Sequence, residues 1–149
     1  MRFGKTAQTA ISVMSVLAEH HGDAEIMLSS AAIAQARDLS QPLVAKLLTV
    51  LSTAKLVDGA RGPGGGYWLA RPPAEISLHD IVALFERPDK ALMCPFGPNW
   101  CGNGEPCPMH DTLLRLGEEW DTYLTSTTLQ VFAEHKPAAA RGSRRRRQG

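Results

Sequence analysis

All three cysteines of this chain lie in one short stretch that ends at a histidine. Cys94, Cys101, Cys107 and His110 follow the pattern C-x6-C-x5-C-x2-H. Four prolines and three glycines lie between Cys94 and His110, so this stretch is predicted to be a loop rather than a helix or a strand. Thiolates and an imidazole are soft ligands that suit zinc, copper or an iron–sulfur cluster. The loop is therefore a candidate metal site.

Disulfide bonding and inert burial are the alternatives to metal binding for these cysteines. An odd number of cysteines cannot all pair in disulfides, and no secretory signal is recognisable at the N-terminus, so a disulfide staple is disfavoured. A single cysteine is most often a buried, inert thiol, but three in one loop rich in proline and glycine favour ligation. The spacing alone does not separate a structural zinc site of the Cys₃His type from an iron–sulfur cluster, so both stay open at this point.

The composition is that of an ordinary globular protein. The chain has 149 residues, of which 44% are hydrophobic and 21% are charged. This length is enough for one domain with its own core and an additional helix or two. No apolar run reaches membrane-spanning length and no signal peptide is recognisable, so we expect a cytoplasmic protein without a membrane partner.

The net charge of +1 hides a strong asymmetry along the chain. Residues 1–71 carry seven Lys or Arg and five Asp or Glu, residues 72–136 carry four and ten, and residues 137–149 carry five arginines and no acid. The local net charges are therefore +2, −6 and +5, which add up to +1. A basic front and an acidic middle indicate one surface for nucleic acid and another for a different partner.

The first part of the chain has the pattern of a helix-turn-helix. Apolar periodicity predicts a helix over residues 5–19, and Ser29 or Ser30 begins a second short helix. Ser40 caps a third helix with Pro42 in its first turn. On this third helix we place the apolar residues Leu43, Leu47, Val50, Leu51 and Ala54 on the inner side and Gln41, Ala45, Leu48, Thr49 and Ser52 on the outer side. Small and polar outer residues allow a helix to approach DNA bases, and the candidate contacts are Ser40, Gln41, Ala45, Thr49 and Ser52.

A hairpin follows the third helix. Residues 56–61 and 67–70 are predicted strands, joined by the turn Gly62-Pro63-Gly64-Gly65-Gly66. A hairpin directly after a helix-turn-helix is typical of the wing of a winged helix, which favours DNA binding over a plain helical bundle. Gly64 and Gly65 would allow close approach to phosphates, and Arg61 could enter a minor groove. A nucleotide-binding loop is disfavoured because no Lys-Ser/Thr helix start follows the glycines.

The second half is predicted to be helical around the cysteine loop. Ser77 caps a helix, with Asp80 completing a capping box. A long helix from about Asp111 to Glu134 carries an apolar stripe made of Leu113, Leu116, Trp120, Tyr123, Leu124, Thr127 and Val131. A second copy of the chain is the natural partner for this stripe, and packing on its own domain is the alternative. The arginine-rich tail either attracts DNA or is simply a solvated end.

The motifs Leu56-Val57, Arg61-Gly62-Pro63-Gly64-Gly65-Gly66-Tyr67 and Leu69-Ala70-Arg71-Pro72-Pro73, followed by the three-cysteine loop, resemble a known family. This family consists of the bacterial winged-helix iron–sulfur transcription regulators, which include IscR, NsrR and RirA. The resemblance covers about residues 1–135 and implies a non-enzymatic homodimer that binds palindromic double-stranded DNA, most often as a repressor. It also implies an iron–sulfur cluster, [2Fe–2S] or [4Fe–4S], whose state alters DNA binding.

By the same resemblance, Cys94, Cys101 and Cys107 would ligate the cluster and His110 would be the fourth ligand. The first cysteine interval is one residue longer than is usual in the family. Gln8 stands in the region of the first helix where some relatives have a ligating carboxylate, and Ala45 stands where the cluster regulator has a glutamate. A zinc-dependent or thiol-redox winged-helix regulator is the alternative function, and an iron–sulfur carrier without a DNA target is a third.

The predicted fold is mainly α with a small β-hairpin wing, that is, a winged helix-turn-helix with a long dimerisation helix. The predicted organisation is a DNA-binding domain over residues 1–86, a cluster-binding loop over 87–110, a dimerisation helix over 111–136 and a disordered basic tail over 137–149.

Overall fold

The computed structural model describes residues 3–23, 26–86 and 106–135. The regular elements in chain order are α1 (Lys5–Glu19), α2 (Ser30–Ala36), α3 (Gln41–Thr53), β1 (Val57–Ala60), β2 (Gly66–Leu69), a 3₁₀ turn (Pro73–Glu75), α4 (Leu78–Val82), α5 (His110–Ser126) and α6 (Gln130–Glu134). Cys94, Cys101 and the arginine-rich tail lie outside the described residues. Among the helices that are described, none is long and apolar enough to cross a membrane.

The helix-turn-helix forms where the sequence predicts it. The amide of Ala32 donates to the hydroxyl of Ser29, 3.1 Å away, so this serine caps α2. The inner face of α3 consists of Val44, Leu47, Leu48 and Leu51, which are all buried. These positions follow the i, i+3, i+4, i+7 spacing of a single helical face.

The predicted faces of α3 are wrong at three positions. Leu48, placed on the outer side, is fully buried, whereas Leu43 and Val50, placed on the inner side, are 40% and 36% exposed. The physical reason is that α2 and α1 pack against the side of α3 that carries Val44 and Leu51. The buried face of α3 is therefore rotated about the helix axis by about one residue position relative to the prediction.

Both helices of the helix-turn-helix end in a Schellman motif. After α2, Leu39 N–H donates to the carbonyl of Ala34 and Asp38 N–H to that of Gln35, at 2.8 and 3.4 Å. After α3, Leu56 N–H donates to Leu51 and Lys55 N–H to Ser52, both at 3.0 Å. The residue that turns the chain has a positive φ in each case, 51° at Asp38 and 61° at Lys55. Glycine is the usual residue at this position, so both ends carry backbone strain.

The wing is a two-stranded antiparallel hairpin in which Val57 pairs with Leu69 and Ala60 with Gly66. Its tip is a type II turn, because Gly65 N–H donates to the carbonyl of Gly62 at 3.0 Å and Gly64 has a φ of 76°. A side chain at position 65 would collide with the carbonyl of Ala60, so the turn is closed tightly onto β1. The predicted hairpin is therefore confirmed, with a turn that requires its glycines.

A single residue of the segment between α1 and α2 extends the sheet of the wing. Leu28 forms an antiparallel bridge with Tyr67, with two backbone hydrogen bonds of 3.1 and 2.8 Å. The wing is thus tied to the chain segment that connects α1 to α2. This pairing fixes β2 relative to the helices.

The predicted long C-terminal helix is in fact two helices. α5 ends at Ser126, Thr127 is extended with φ −90° and ψ 121°, and α6 begins at Gln130. The break is stabilised by pairing with the start of α4, where Leu78 N–H donates to the carbonyl of Thr127 and Leu129 N–H donates to that of Ile76, each at 2.9 Å. These long-range bonds replace the intrahelical bonds that a continuous helix would make. The low helix propensity of the consecutive threonines also favours a break at this point.

The core is shared between the two ends of the chain. The buried cluster contains residues of α1, α2, α3, the wing and α4, and it also contains Leu129 at 0% exposure. Phe132 of α6 packs against the same cluster, and α6 lies against α1. The core assigned to the winged domain therefore includes residues beyond the cysteine loop.

Candidate nucleic-acid interface and metal-ligand residues

The predicted DNA-contacting residues of α3 lie on or near its solvent side. Ser40, Gln41 and Thr49 are exposed, and Ala45 and Ser52 are half-buried. Ser40 precedes the helix but makes no side-chain capping bond, so its hydroxyl is not used by the helix. The hydroxyl of Thr49 donates to the carbonyl of Ala45 at 3.1 Å, which leaves only its oxygen lone pairs for an external donor.

The exposed face of α3 also carries Lys46, which sequence reasoning did not select. Lys46 lies between the exposed Leu43 and Val50, at spacings of three and four residues. This face therefore combines one cation with two apolar side chains. The sequence could have identified Lys46, because it lies on the face of α3 opposite the buried residues Val44, Leu47, Leu48 and Leu51.

The wing places Arg61 directly before the type II turn, where it is exposed together with Gly64. Within the described residues, neither Arg61 nor Lys46 forms an ion pair. Arg37, the other cation of the helix-turn-helix, is held differently. It forms a salt bridge with Glu19 and donates to the hydroxyl of Ser15 at 3.1 Å, so it joins α1 to the end of α2. Arg37 therefore has a structural role, whereas no described residue forms an ion pair with Lys46 or Arg61.

Two of the four predicted metal ligands are described, and they are adjacent in the fold. Cys107 is 9% exposed and lies just before α5, and His110 is the first residue of that helix. His110 N–H donates to the carbonyl of Cys107 at 3.0 Å, so the two residues share one tight turn. Across residues 3–23, 26–86 and 106–135, no group of three or more His, Cys, Asp or Glu side chains is arranged to hold a metal ion. The other two predicted ligands, Cys94 and Cys101, are outside those ranges.

A thiol and an imidazole at the end of the cysteine loop are chemically suited to a cluster or to zinc. The described half of the donor set therefore fits the predicted group. Gln8, the residue of α1 that stands near a ligand position of some relatives, donates from its amide nitrogen to the carbonyl of Phe3 at 3.2 Å. Its amide is thus engaged within its own helix start.

The apolar stripe of α5 is only partly covered within one chain. Leu124 is buried and Tyr123 is 48% exposed, whereas the other stripe residues of this helix are half-buried, namely Leu113, Leu116 and Trp120. Trp120 stacks on Tyr123 with ring centroids 5.6 Å apart. In α6, Val131 is 47% exposed, whereas Leu129, just before that helix, turns inward although it is not part of the predicted stripe. The stripe is therefore half-covered along α5 and exposed at both Tyr123 and Val131.

Comparisons with known proteins agree with this architecture. The model of the Rrf2 family, described as an iron-dependent transcriptional regulator, matches residues 3–135. NMA1593 of Neisseria meningitidis serogroup A, which its name groups with the HTH-type transcriptional regulators, is 36% identical over 136 residues, or 91% of this chain and 90% of that protein.

Two solved structures are similar over almost the whole chain. CymR, the global cysteine regulator of B. subtilis, gives a TM-score of 0.75 at 28% identity and covers 90% of this chain and 97% of its own. IscR of T. potens gives a TM-score of 0.71 at 25% identity and covers 93% of this chain and 90% of its own. The family and these relatives are transcriptional regulators, not enzymes. The winged-helix fold and the match over residues 3–135 show that the chain belongs to the Rrf2 family of transcriptional regulators.

Proposed function

We propose that this regulator is a homodimer that binds a palindromic operator, most often as a repressor, and that an iron–sulfur cluster held by Cys94, Cys101, Cys107 and His110 modulates its affinity for DNA. The observation that supports the proposal is the turn at the start of α5, in which the backbone N–H of His110 donates to the carbonyl of the buried Cys107, so that two of the four proposed ligands are adjacent in the fold. Because its target is chromosomal DNA, we place the protein in the cytoplasm.

The proposed ligands would link the cluster to α5. When bound, the cluster would supply a redox-active and ligand-reactive iron centre. Cys107 and His110 would hold one side of that centre at the start of α5, a helix of 17 residues. Cys94 and Cys101 precede that helix in the sequence, so a bound cluster would connect the loop to α5. Binding of the cluster would thereby change how firmly α5 is held relative to the winged domain.

The dimer follows from the uncovered side of α5. Leu116, Trp120 and Tyr123 share one face of α5, on which Tyr123 is 48% exposed and the other two are half-buried. An apolar helix face that one chain leaves partly exposed commonly pairs with its symmetry mate in a DNA-binding protein. A two-fold dimer places two copies of α3 one helical turn of DNA apart, which requires an operator with inverted repeats.

For DNA recognition, we assign the N-terminal half of α3 to the major groove, with Gln41 and Lys46 toward the bases or phosphates. Thr49 and Ser52 lie further along the same helix, and Ala45 provides a small surface for close approach. Ser40 is placed at the helix start, where the amides of α3 point toward the backbone phosphates. Arg61, Gly64 and Gly65 of the wing are assigned to the adjacent minor groove and phosphates.

The deciding experiment is purification under strict exclusion of oxygen, with iron, acid-labile sulfide and zinc determined per chain. We expect iron and sulfide together in the unmodified protein and their loss in Cys94→Ala, Cys101→Ala and Cys107→Ala. His110→Ala tests the fourth ligand, and His135→Ala, which changes an exposed histidine of the C-terminal region, is its control. Stoichiometric zinc without sulfide would reject the cluster.

A second candidate function is a regulator that uses its thiols or zinc directly. The observation that favours it is the similarity to CymR, a cysteine regulator, over 90% of this chain. In that case, cluster-free protein would change its operator affinity on mild oxidation or on zinc removal. The cluster proposal instead expects the affinity difference between cluster-loaded and cluster-free protein, of about 1–3 kcal/mol for a typical coupled system. Equal operator affinity in both forms would leave the cluster without a regulatory role.

A further inference from the structure

The segment that follows α4 is joined to the beginning of α1. Glu86 is the last described residue before the cysteine loop, and its carboxylate accepts a hydrogen bond from the backbone N–H of Gly4. Gly4 is the N-cap of α1, where the helix presents unpaired amides and a positive dipole end. A carboxylate is the side chain that this position favours, so the contact is chemically specific.

Phe3, the residue before Gly4, contacts the helix that follows the cysteine loop. The ring of Phe3 lies 5.1 Å from the ring of Trp120 at an interplanar angle of 47°, which is a tilted aromatic contact with α5. Trp120 in turn stacks on Tyr123. Two consecutive residues, Phe3 and Gly4, therefore contact the element that enters the cysteine loop and the helix that leaves it.

We propose that Phe3, Gly4, Glu86 and Trp120 form a clamp that holds the segment entering the cysteine loop at a fixed separation from α5, the helix that leaves it, with Glu86 as a positioning residue for the ligands. The inference rests on the proposed function, because it concerns the same loop. The prolines and glycines between Cys94 and His110 disfavour the regular backbone pairing that could set the distance between the ends of this loop. Fixing those ends lowers the entropy that ligand assembly must overcome, and it orients the ligands as an outer shell does around a metal.

The structure offers a clean way to open the clamp. Gly4 has φ −62° and ψ 157°, a conformation that alanine adopts without strain. A Cβ at this position would nevertheless lie 3.2 Å from Cδ of Glu86, so Gly4→Ala displaces the carboxylate while leaving the backbone of α1 unchanged. Glu86→Ala removes the acceptor. Glu86→Gln keeps an oxygen that can accept from Gly4, and Glu75→Ala removes an exposed carboxylate elsewhere as the control.

The first measurement is the rate at which cluster-loaded protein loses iron to an excess of EDTA under anaerobic conditions, followed by visible circular dichroism. We expect Gly4→Ala and Glu86→Ala to lose iron about tenfold faster, the lower end of the range by which loss of an outer-shell partner weakens metal affinity. Glu86→Gln should restore most of the difference, and Glu75→Ala should match the unmodified protein. Thermal unfolding monitored at the helical band should be the same for all four variants.

The second measurement uses the cluster-free protein and needs no cofactor. Labelling of Cys107 with N-ethylmaleimide, quantified on its peptide by mass spectrometry, should be several-fold faster in Gly4→Ala and Glu86→Ala, because the end of the loop is released. Unchanged labelling in both variants overturns the clamp, as does unchanged iron loss in protein that carries a cluster. If the unmodified protein takes up no iron and sulfide, the proposed function fails, and the labelling alone decides whether the clamp exists.

Discussion

The backbone amide of Leu78 donates a 2.9 Å hydrogen bond to the carbonyl of Thr127, and this bond joins the start of α4 to the break between α5 and α6. One residue on, Thr128 forms an antiparallel bridge with Ser77. The break is therefore a short strand-like crossing rather than a frayed helix end. It turns the chain so that Leu129 enters the core while α5 remains on the outside.

The first prediction concerns the contribution of this crossing to stability. Leu129→Ala removes a fully buried side chain from the core, so we expect the free energy of unfolding to fall by about 2–5 kcal/mol. Val131→Ala, which truncates a side chain that is 47% exposed, should change it by less than about 1 kcal/mol. Urea denaturation followed by circular dichroism measures both. Equal small effects would mean that α6 does not pack on the winged domain.

The second prediction concerns the strained end of α3. Lys55 has a φ of 61°, a conformation that costs a residue with a side chain roughly 1 kcal/mol relative to glycine. Lys55→Gly should therefore raise the free energy of unfolding by about 0.5–1 kcal/mol. Lys55→Ala removes the same charge but keeps a Cβ, so it separates strain from electrostatics in one thermal-unfolding series. If alanine stabilises as much as glycine, the strain at this position is not the cause.

The third prediction concerns DNA binding. Lys46→Ala and Arg61→Ala each remove a positive charge that is unpaired within the described residues, so each should weaken binding to the operator and reduce the slope of log K against log salt by about one unit. Lys5→Ala removes an exposed charge from the start of α1 and is the control. Fluorescence anisotropy at several salt concentrations gives both quantities. A variant whose affinity and slope equal those of the control has no phosphate contact at that residue.

The fourth prediction concerns the tip of the wing. Gly65→Ala would bring a Cβ into collision with the carbonyl of Ala60, and we expect the hairpin to open locally at a cost of about 1–3 kcal/mol. Gly117→Ala, in the middle of α5, meets open space and should stabilise by about 0.5–1 kcal/mol, because alanine has the higher helix propensity. Thermal unfolding of the two variants should therefore shift in opposite directions. A stabilising Gly65→Ala would contradict the closed turn.

The parts of the fold that local rules govern were predictable from the sequence. Ser77 accepts from the amide of Asp80 at 3.1 Å, and the carboxylate of Asp80 accepts from the amide of Ser77 at 2.9 Å, which is the expected capping box. The Pro63-Gly64 pair fixes the turn of the wing in the same way. In each case the residues that determine the conformation are neighbours in sequence, so their types are sufficient.

The parts that depend on distant partners were not predictable. Thr127 leaves the helix because Leu78 supplies its hydrogen bond, and no pattern near Thr127 identifies that partner. The rotation of α3 that buries Leu48 is determined by the helices packed against it. The candidate site divides similarly: the cysteine spacing identifies the proposed ligands, whereas the contact between Phe3 and Trp120 follows no local motif.

The inward turn at Leu129 also has a consequence for synthesis on the ribosome. Polypeptides emerge from their N-terminus, and compact domains generally fold as units as they appear. Here the hydrophobic cluster around α1 and α3 is completed by Leu129 and Phe132, which are made after the cysteine loop. A nascent chain that ends within the cysteine loop therefore exposes an incomplete core. We expect the winged domain to reach its full stability only after the proposed ligand residues have been translated.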